Sequence, residues 1–344
     1  AGPLLLAALA PAAGALRLGA AAPGGSETLA CQQPLPLSEH SSEDDPDPPV
    51  VQKPVPGERV RMAAIEGMEY LLFLPASWDA ASIARYPVVV FLHGSGDGKF
   101  SVMTSQSLPR LLARNQSTSF DPRSCWCLEP RYATVLAKLE VAPNDPRAYD
   151  EDEQALKSPM ADCDFADTFG AITIMPQGWL PGDSNHGWSD RQLMQVQAIT
   201  QHVLHTYQGD PTRVVLTGQS MGGAGAWRWS GMHANLFSAV NIICAPTGAR
   251  PLLMEGLPVW VVGDTSDGYR GNDKAVEDLK KRRKGTVRYT RYLQSPAPPD
   301  PKYRHMRGHA SYDLIYRDPR LWEWALAQAN PDGPREWGFD AGAI

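Results

Sequence analysis

A glycine-rich turn between a strand pattern and a helix pattern is the feature that most constrains the fold of this 344-residue chain. Residues 213–217 have strand character, and Gly218-Gln219-Ser220-Met221-Gly222 follows them directly. A serine at the tip of a sharp strand-to-helix turn has strained backbone angles, and the positions two residues away have no room for side chains. Glycines at both positions therefore predict a strand, a tight turn and a helix, with the Ser220 hydroxyl exposed at the carboxyl edge of a sheet.

Strand patterns and helix patterns alternate along the rest of the chain. Helical spacing of apolar residues is found around Val196–Val203, around Val276 and Leu279, and in a tryptophan-rich run at 321–328. Short apolar runs predict strands at 68–74, 87–92, 171–175, 213–217, 239–244, 258–262 and 287–293. The alternation predicts an α/β fold with a mostly parallel central sheet flanked by helices.

These patterns place one α/β domain at residues 59–330, followed by a C-terminal tail at 331–344. The segment 101–168 interrupts the alternation and is interpreted as an insertion that follows the turn after the strand at 87–92. It either covers the mouth of the ligand site at the carboxyl edge of the sheet or forms a surface excursion. Within it, a helix is expected around 107–114.

The first 58 residues differ from the domain in composition. Residues 1–22 are Leu- and Ala-rich without a basic front, and they predict an incomplete targeting segment, either a signal peptide or an organellar transit peptide. We therefore expect a secreted or organellar protein. Residues 23–58 are rich in Pro, Ser and acidic residues and predict a disordered linker. No stretch is long enough to predict an integral membrane span.

Composition also excludes several classes of partner and cofactor. The chain has 32 basic and 38 acidic residues, a net charge of −6, and no basic stripe, so no nucleic-acid partner is expected. Its five cysteines are too few for a disulfide framework, although Cys163 could bridge to Cys125 or Cys127 in an oxidising compartment. No CxxC pair or histidine cluster accompanies them, so no metal site is predicted. Cys244 is predicted to be a small buried apolar residue. The sequence does not determine the oligomeric state.

A second glycine-rich turn follows the strand at 87–92. A buried strand that enters such a turn supplies one of the backbone donors that acyl transfer needs, and we predict that the Ser95 amide pairs with the Met221 amide as an oxyanion hole. A phosphate-binding loop is excluded because His93 stands where its first glycine belongs, and Phe100 where a Ser or Thr belongs. His93 is expected to hold the turn.

A serine nucleophile needs a base, and the base needs a carboxylate to orient it. The strand at 258–262 leads into a loop that contains Asp264 and Asp267, and His305 and His309 follow later in the chain. The order Ser, Asp, His is that of the α/β-hydrolase fold. Position alone leaves both acids and both histidines open.

The chain resembles the phospholipase/carboxylesterase-like group of α/β-hydrolases, which is also labelled predicted peptidase and is related to feruloyl esterases and polyhydroxybutyrate depolymerase-like esterases. The resemblance runs from about 69 to 328, interrupted by the insertion. The motifs that carry it are 86–96, Met175-Pro176-Gln177, 210–223, Gly308-His309, Tyr312-Asp313, Tyr316, Asp318-Pro319 and 322–324. In that family the acid belongs to the pattern strand-His-Gly-x-x-Asp, which falls on Asp267. This chain has Gly263-Asp264 in place of His-Gly, so Asp264 stays an alternative candidate for the acid.

The resemblance implies a serine hydrolase that cleaves a carboxylic ester through an acyl-enzyme, without a metal or an organic cofactor. Ser220 would be the nucleophile, His309 the base and Asp267 the orienting acid, with the Ser95 and Met221 amides as oxyanion donors. The substrate would be a small-molecule or polymer-derived ester. The alternatives are a serine peptidase or phospholipase with the same triad, and a catalytically silent binding scaffold.

Overall fold

The fold is taken from a computed structural model. It describes residues 47–95, 100, 107–113, 162–178, 187–246, 254, 256–267, 271–282, 286–292, 295 and 305–339. The predicted targeting segment 1–22, most of the predicted linker, the sequence 114–161 of the insertion, Cys125 and Cys127 lie outside this part of the chain.

The described residues contain one nine-stranded sheet in the spatial order β1-β2-β3-β5-β4-β6-β7-β8-β9. Its strands are β1 (Val50–Val51), β2 (Arg59–Ile65), β3 (Met68–Phe73), β4 (Tyr86–Leu92), β5 (Ile172–Pro176), β6 (Gly209–Gln219), β7 (Ala239–Ile243), β8 (Val259–Asp264) and β9 (Val287–Tyr292). The six strands from β5 to β9 in that order are parallel, whereas β3 runs antiparallel to both β2 and β5. In the middle of the sheet Val90 aligns with Ile174 on one side and Leu216 on the other.

Helices cover both faces of this sheet. They are α1 (Ser107–Leu111), α2 (Asp162–Thr168), α3 (Asp190–Thr206), α4 (Met221–Met232), α5 (Gly271–Arg282), α6 (Ser311–Ile315), α7 (Pro319–Leu326) and α8 (Gly333–Glu336). One apolar core joins the sheet to α3, α4 and α5, and a second core joins its other face to α1, α2, α6 and α7. The prediction of a mostly parallel sheet flanked by helices is therefore confirmed. Among the described helices, none is long and apolar enough to cross a membrane.

The described part of the chain differs from the sequence prediction at both ends of the domain. Strand β1 lies within the segment 23–58 predicted as a linker, and Val50 pairs with Arg61 of β2. At the other end, Trp337 of the predicted tail is fully buried, and its indole N–H donates to the carbonyl oxygen of Leu236 at 2.7 Å. Trp337 attaches the tail by burying apolar surface. Strand β1 is attached by its pairing with β2 instead, because Val50 is 44% exposed.

Both described ends of the insertion 101–168 are packed into the second core. Leu108 of α1 and Phe165 of α2 are fully buried, and the Phe165 ring stacks on that of Phe169 at 5.0 Å. The predicted helix at 107–114 is present but ends at Leu111. The prediction that the insertion covers the site depends mainly on the sequence 114–161, outside the described residues, and stays a prediction.

Candidate active site

Ser220 occupies a strained turn between β6 and α4. Strand β6 ends at Gln219 and helix α4 begins at Met221, so a single residue makes the turn, with φ 51° and ψ −118°. Positive φ is unfavourable for a residue with a side chain, and the surrounding bonds hold it here. The Ser220 amide donates to the carbonyl oxygen of Ile243 at 2.9 Å, and its carbonyl oxygen accepts from the Ala224 amide at 3.0 Å. The structure thus contains the predicted strand, turn and helix.

The glycines on either side of Ser220 are required by close backbone contacts. A Cβ atom on Gly222 would lie 1.9 Å from the carbonyl oxygen of Leu92, at the end of β4. A Cβ atom on Gly218 would lie 2.3 Å from the carbonyl oxygen of Gly222. Real Cβ atoms do not approach other atoms so closely. Gly222 therefore lets the first turn of α4 lie directly on the backbone of β4, and Gly218 lets the turn at Ser220 close on itself.

His309 bonds to both Ser220 and Asp267. Its Nε2 atom is 3.0 Å from Ser220 Oγ, and its Nδ1 atom is 2.9 Å from each carboxylate oxygen of Asp267. The side chains of His309 and Asp267 are 16% and 10% exposed, so bulk water screens their interaction only partly. Burial raises the pKa of Asp267 above its ordinary value, and the hydrogen bond from His309 opposes that rise.

The acid and the histidine come from two loops that follow neighbouring strands. Asp267 lies three residues after the end of β8, and its amide donates to the carbonyl oxygen of Asp264 at 3.3 Å. His309 stands two residues before α6, and its amide donates to the carbonyl oxygen of Met306 at 2.9 Å. The carboxyl ends of parallel strands share one edge of the sheet, which brings both loops beside Ser220.

Of the two acids left open by position, Asp267 is the one that bonds to the histidine ring. The Asp264 carboxylate instead accepts hydrogen bonds from Ser266 and from the Ser295 amide. Of the two histidines, His309 reaches Ser220, whereas His305 is exposed. The geometry thus agrees with the residues that the family resemblance implied, while their chemical roles stay predictions.

The predicted oxyanion donors lie next to Ser220. A Cβ atom on Gly94 would be 3.5 Å from the Cβ atom of Ser220, so the turn that carries Ser95 packs against the serine. Met221 is the first residue of α4, and the first amides of a helix have no partner within the helix and carry its positive partial charge. Both backbone segments therefore lie beside Ser220, and the role of the Ser95 and Met221 amides as oxyanion donors stays a prediction.

His93 and Trp188 fix the turn that carries Ser95. The amide of Gly178 can only donate, so its bond to His93 Nε2 at 3.1 Å makes Nδ1 the protonated nitrogen, which donates to the Gly94 carbonyl oxygen at 2.8 Å. Burial lowers the pKa of His93 to about 4, so this histidine is neutral at pH 7. The indole N–H of Trp188 donates to the His93 carbonyl oxygen at 3.1 Å.

The structural role of His93 agrees with expectation, but Trp188 was not anticipated from the sequence. Its ring occupies the space that side chains at Gly178 and Gly225 would need, at 2.4 and 2.8 Å from their Cβ positions. One ring thus touches the turn after β5, the helix α4 and the turn after β4. A tryptophan next to a helix-capping serine, Ser189, was the only available signal, and it does not indicate such distant partners.

Two further findings concern metal binding and cysteine reactivity. Within the described residues, no group of three or more His, Cys, Asp or Glu side chains is arranged to hold a metal ion. Cys244 is fully buried after β7, and burial raises the pKa of its thiol, as for an unreactive structural cysteine.

A sequence model of the alpha/beta hydrolase family matches residues 89–341, which is more than half of the chain. No curated protein matches this sequence. Among solved structures, a thermostable esterase is 22% identical with a TM-score of 0.48 over 79% of this chain and 62% of its own. This chain therefore spans less than two thirds of the length of that esterase.

Two other similar structures are an S-formylglutathione hydrolase and a ferulic acid esterase. The S-formylglutathione hydrolase from Staphylococcus aureus is 12% identical with a TM-score of 0.43, over 78% of this chain and 95% of its own. The ferulic acid esterase from Anaeromyces mucronatus, solved with ferulic acid, is 12% identical with a TM-score of 0.41, over 76% of this chain and 85% of its own.

Proposed function

Because the chain belongs to the alpha/beta hydrolase family, we propose that it hydrolyses a carboxylic ester through an acyl-enzyme formed on Ser220. The observation that supports this proposal best is the position of His309, which bonds to Ser220 Oγ at 3.0 Å and to Asp267 at 2.9 Å. Such a chain of nucleophile, base and orienting acid is the arrangement that activates a serine hydroxyl.

In the first half of the reaction, Ser220 Oγ attacks the carbonyl carbon of the ester while His309 Nε2 takes the hydroxyl proton. The resulting oxyanion is stabilised by the backbone amides of Ser95 and Met221 and by the amino-terminal dipole of α4. His309 then gives its proton to the departing alcohol, which leaves an acyl group on Ser220.

In the second half, His309 takes a proton from water as the water attacks the acyl group. Collapse of this second tetrahedral species breaks the bond to Ser220 Oγ, which regains the proton from His309, and the carboxylic acid leaves. Asp267 accepts from Nδ1–H throughout, so it keeps the imidazole in the tautomer whose Nε2 can accept a proton and stabilises the imidazolium that forms.

The substrate in this proposal is a small-molecule or polymer-derived ester. The same three residues could serve a serine peptidase or a phospholipase, since they act on the acyl carbon and do not select the leaving group. A panel of short- and long-chain 4-nitrophenyl esters, a feruloyl ester, a phospholipid and a chromogenic peptide separates these reactions. The proposal predicts the highest kcat/KM on one of the carboxylic esters.

Ser220→Ala tests the proposal on the best substrate of that panel. We expect kcat to fall by roughly a million-fold, because the nucleophile and base act as a unit. Ser230→Ala is the matched control, since Ser230 lies in the same helix and its hydroxyl bonds to none of the proposed catalytic residues. Its described partners are the carbonyl oxygens of Ala226 and Trp227 and the sulfur of Met254. Turnover above about a hundredth of the wild-type value in Ser220→Ala would contradict the assignment, and a protein that hydrolyses nothing and resists fluorophosphonates would be a silent scaffold.

A further inference from the structure

Asp264 stands at the point where the loop of Asp267 and the segment that leads to His309 meet. It is the last residue of β8 and is 8% exposed. One of its carboxylate oxygens, Oδ1, accepts from the Ser266 amide at 2.8 Å and from the Ser266 hydroxyl at 2.6 Å. The other, Oδ2, accepts from the Ser295 amide. A single buried carboxylate is thus bonded to two separate segments of the chain.

A second hydrogen bond connects Ser295 to the residue that precedes the histidine. The carbonyl oxygen of Ser295 accepts from the amide of Gly308 at 2.8 Å, and Gly308 directly precedes His309. Two consecutive hydrogen bonds, from Asp264 to Ser295 and from Ser295 to Gly308, therefore link the end of β8 to the residue before the proposed base. No side-chain flexibility intervenes after the carboxylate, because the rest of this path is backbone.

Packing provides a second link between the same two segments. Gly308 has φ +83°, and a Cβ atom there would lie 2.1 Å from the hydroxyl oxygen of Ser266. That oxygen is held by Asp264 Oδ1, so it fills the space beside Gly308 in a fixed orientation. Movement of the Asp264 carboxylate would therefore release both the hydrogen-bonded path through Ser295 and the contact between Ser266 and Gly308.

We propose that Asp264 is a positioning residue for the reaction described above: its carboxylate sets the distance between Asp267 and His309 by tying together the segments that carry them. This inference rests on the proposed function for its kinetic consequence, but its structural content is independent of it. Catalytic groups displaced by about 1 Å can lose a hundredfold in rate, so such a tie has a measurable effect on kcat.

Asp264→Asn preserves the shape of the side chain and removes half of its acceptors. Whichever way the amide is turned, its NH₂ group faces a backbone N–H, either that of Ser266 or that of Ser295. Two donors cannot bond to one another, so one of the two segments loses its backbone hydrogen bond to residue 264. Ser266→Ala is a milder variant, because it removes the hydroxyl that contacts Gly308 and leaves the backbone bonds of Asp264 in place.

Asp210→Asn is a matched control at the opposite end of the sheet. Asp210 Oδ1 accepts from the amide and the hydroxyl of Thr212 at 2.9 and 2.6 Å, which repeats the turn geometry of Asp264 and Ser266. Asp210 lies near the start of β6, whereas Ser220 follows the end of that strand. Its Oδ2 atom accepts from Arg213 Nε at 2.6 Å, so Asp210→Asn also takes an acceptor from one of two partners. A general effect of such a loss would therefore appear in both variants.

Two measurements on the full chain test the proposal: kcat and KM on 4-nitrophenyl acetate, and the low-field proton resonance of His309 Nδ1–H, assigned by its loss in His309→Ala. We expect Asp264→Asn to lower kcat about a hundredfold with KM unchanged, and to move or broaden the resonance. Ser266→Ala should lower kcat about tenfold, and Asp210→Asn should match the wild type in both measurements.

The proposal is wrong if Asp264→Asn and Ser266→Ala keep the wild-type kcat and resonance, or if Asp210→Asn lowers kcat as much as Asp264→Asn. If Asp264→Asn does not fold, the kcat and the resonance of Ser266→Ala test the proposal in its place. A wild-type protein that hydrolyses no ester would contradict the proposed function alone, because the resonance still reports whether Asp264 holds His309 in place.

Discussion

The indole N–H of Trp188 donates to the carbonyl oxygen of His93 at 3.1 Å, and this bond ties the start of α3 to the turn that carries the proposed oxyanion donor Ser95. The two rings also meet edge to face, with centroids 5.0 Å apart. The His93 carbonyl oxygen also lies against Gly222 in the first turn of α4, so it contacts the helix whose first residue is the other proposed oxyanion donor, Met221.

Trp188→Phe removes the indole N–H and keeps an aromatic ring. We expect the free energy of unfolding to fall by about 1–2 kcal/mol, from the lost hydrogen bond and the smaller ring. We also expect kcat on a small activated ester to fall about tenfold as the oxyanion turn loosens. Urea unfolding and steady-state kinetics measure the two effects.

Trp337→Phe is the matched control for Trp188→Phe. Trp337 is also buried and also donates to a backbone carbonyl oxygen, that of Leu236, but it belongs to the C-terminal segment. We expect Trp337→Phe to lower the free energy of unfolding by a similar amount and to leave kcat unchanged. Equal losses of kcat in the two variants would show that Trp188 has no particular connection to the site.

The pH dependence of stability should carry the signature of a neutral buried histidine at position 93. Burial lowers the pKa of His93 from 6.5 to about 4, so between these values the unfolded chain binds a proton that the folded chain does not. Stability contributed by the neutral ring is therefore fully present above pH 6.5 and falls as the pH drops toward 4, by about 3 kcal/mol in total.

His93→Gln isolates this contribution, because glutamine can accept from the Gly178 amide and does not titrate. Urea unfolding at several pH values between 4 and 7 should give a steeper loss of stability in the wild type than in His93→Gln. The raised pKa of Asp267 has the opposite effect on stability, because it favours the folded chain as the pH falls, and this effect is the same in both proteins. Parallel pH profiles for the two proteins would mean that His93 is not buried in its neutral form.

The close contact at Gly222 gives a sharp prediction for Gly222→Ala. Its methyl group would lie 1.9 Å from the Leu92 carbonyl oxygen, which is backbone and cannot rotate away. We expect a loss of about 3 kcal/mol or more in the free energy of unfolding, with kcat strongly reduced because β4 and α4 must separate. At Gly170, no described atom lies within 4 Å of the corresponding position. Gly170→Ala should therefore leave stability and kcat near wild type, and similar behaviour of the two variants would contradict the tight packing at Gly222.

Asp267→Asn tests the assignment of the orienting acid. An amide can offer an N–H to His309 Nδ1 and so favour the tautomer whose Nε2 carries the proton and cannot act as a base. We expect kcat to fall by about ten-thousand-fold with little change in KM. Asp190→Asn changes an exposed aspartate that pairs with Arg228 and should leave kcat unchanged. A modest loss in Asp267→Asn, within the hundredfold expected of a positioning residue, would contradict its role as the orienting acid.

The strand-turn-helix at Ser220 and the parallel sheet could be predicted because both depend on local sequence. Flanking glycines mark the turn, and continuous apolar runs such as Val88–Val90 mark strands buried on both faces. Asp267 and His309 required the family resemblance, because position alone left two acids and two histidines open. The structure brings the resemblance-implied pair to within hydrogen-bonding distance of each other, 42 residues apart in sequence.

The roles of Trp188 and Asp264 could not be predicted, because each depends on contacts between segments that are distant in the chain. The bond from Trp188 to His93 spans 95 residues, and the bond from Ser295 to Asp264 spans 31. Nothing in the sequence around either residue encodes its partner. Strand β1 was missed for a related reason, since two valines in a proline-rich segment form a strand only because β2 offers them a free edge.

The acyl-enzyme itself is the most direct test of the central claim that Ser220 is the nucleophile of an ester hydrolase. The protein is mixed with excess 4-nitrophenyl acetate, quenched in acid within the first turnover, digested and mapped by mass spectrometry. The account predicts a rapid release of one nitrophenolate per chain and one acetyl group, carried by Ser220 and absent from His309→Ala. An acetyl group on another residue, or turnover without any acylated serine, would contradict it.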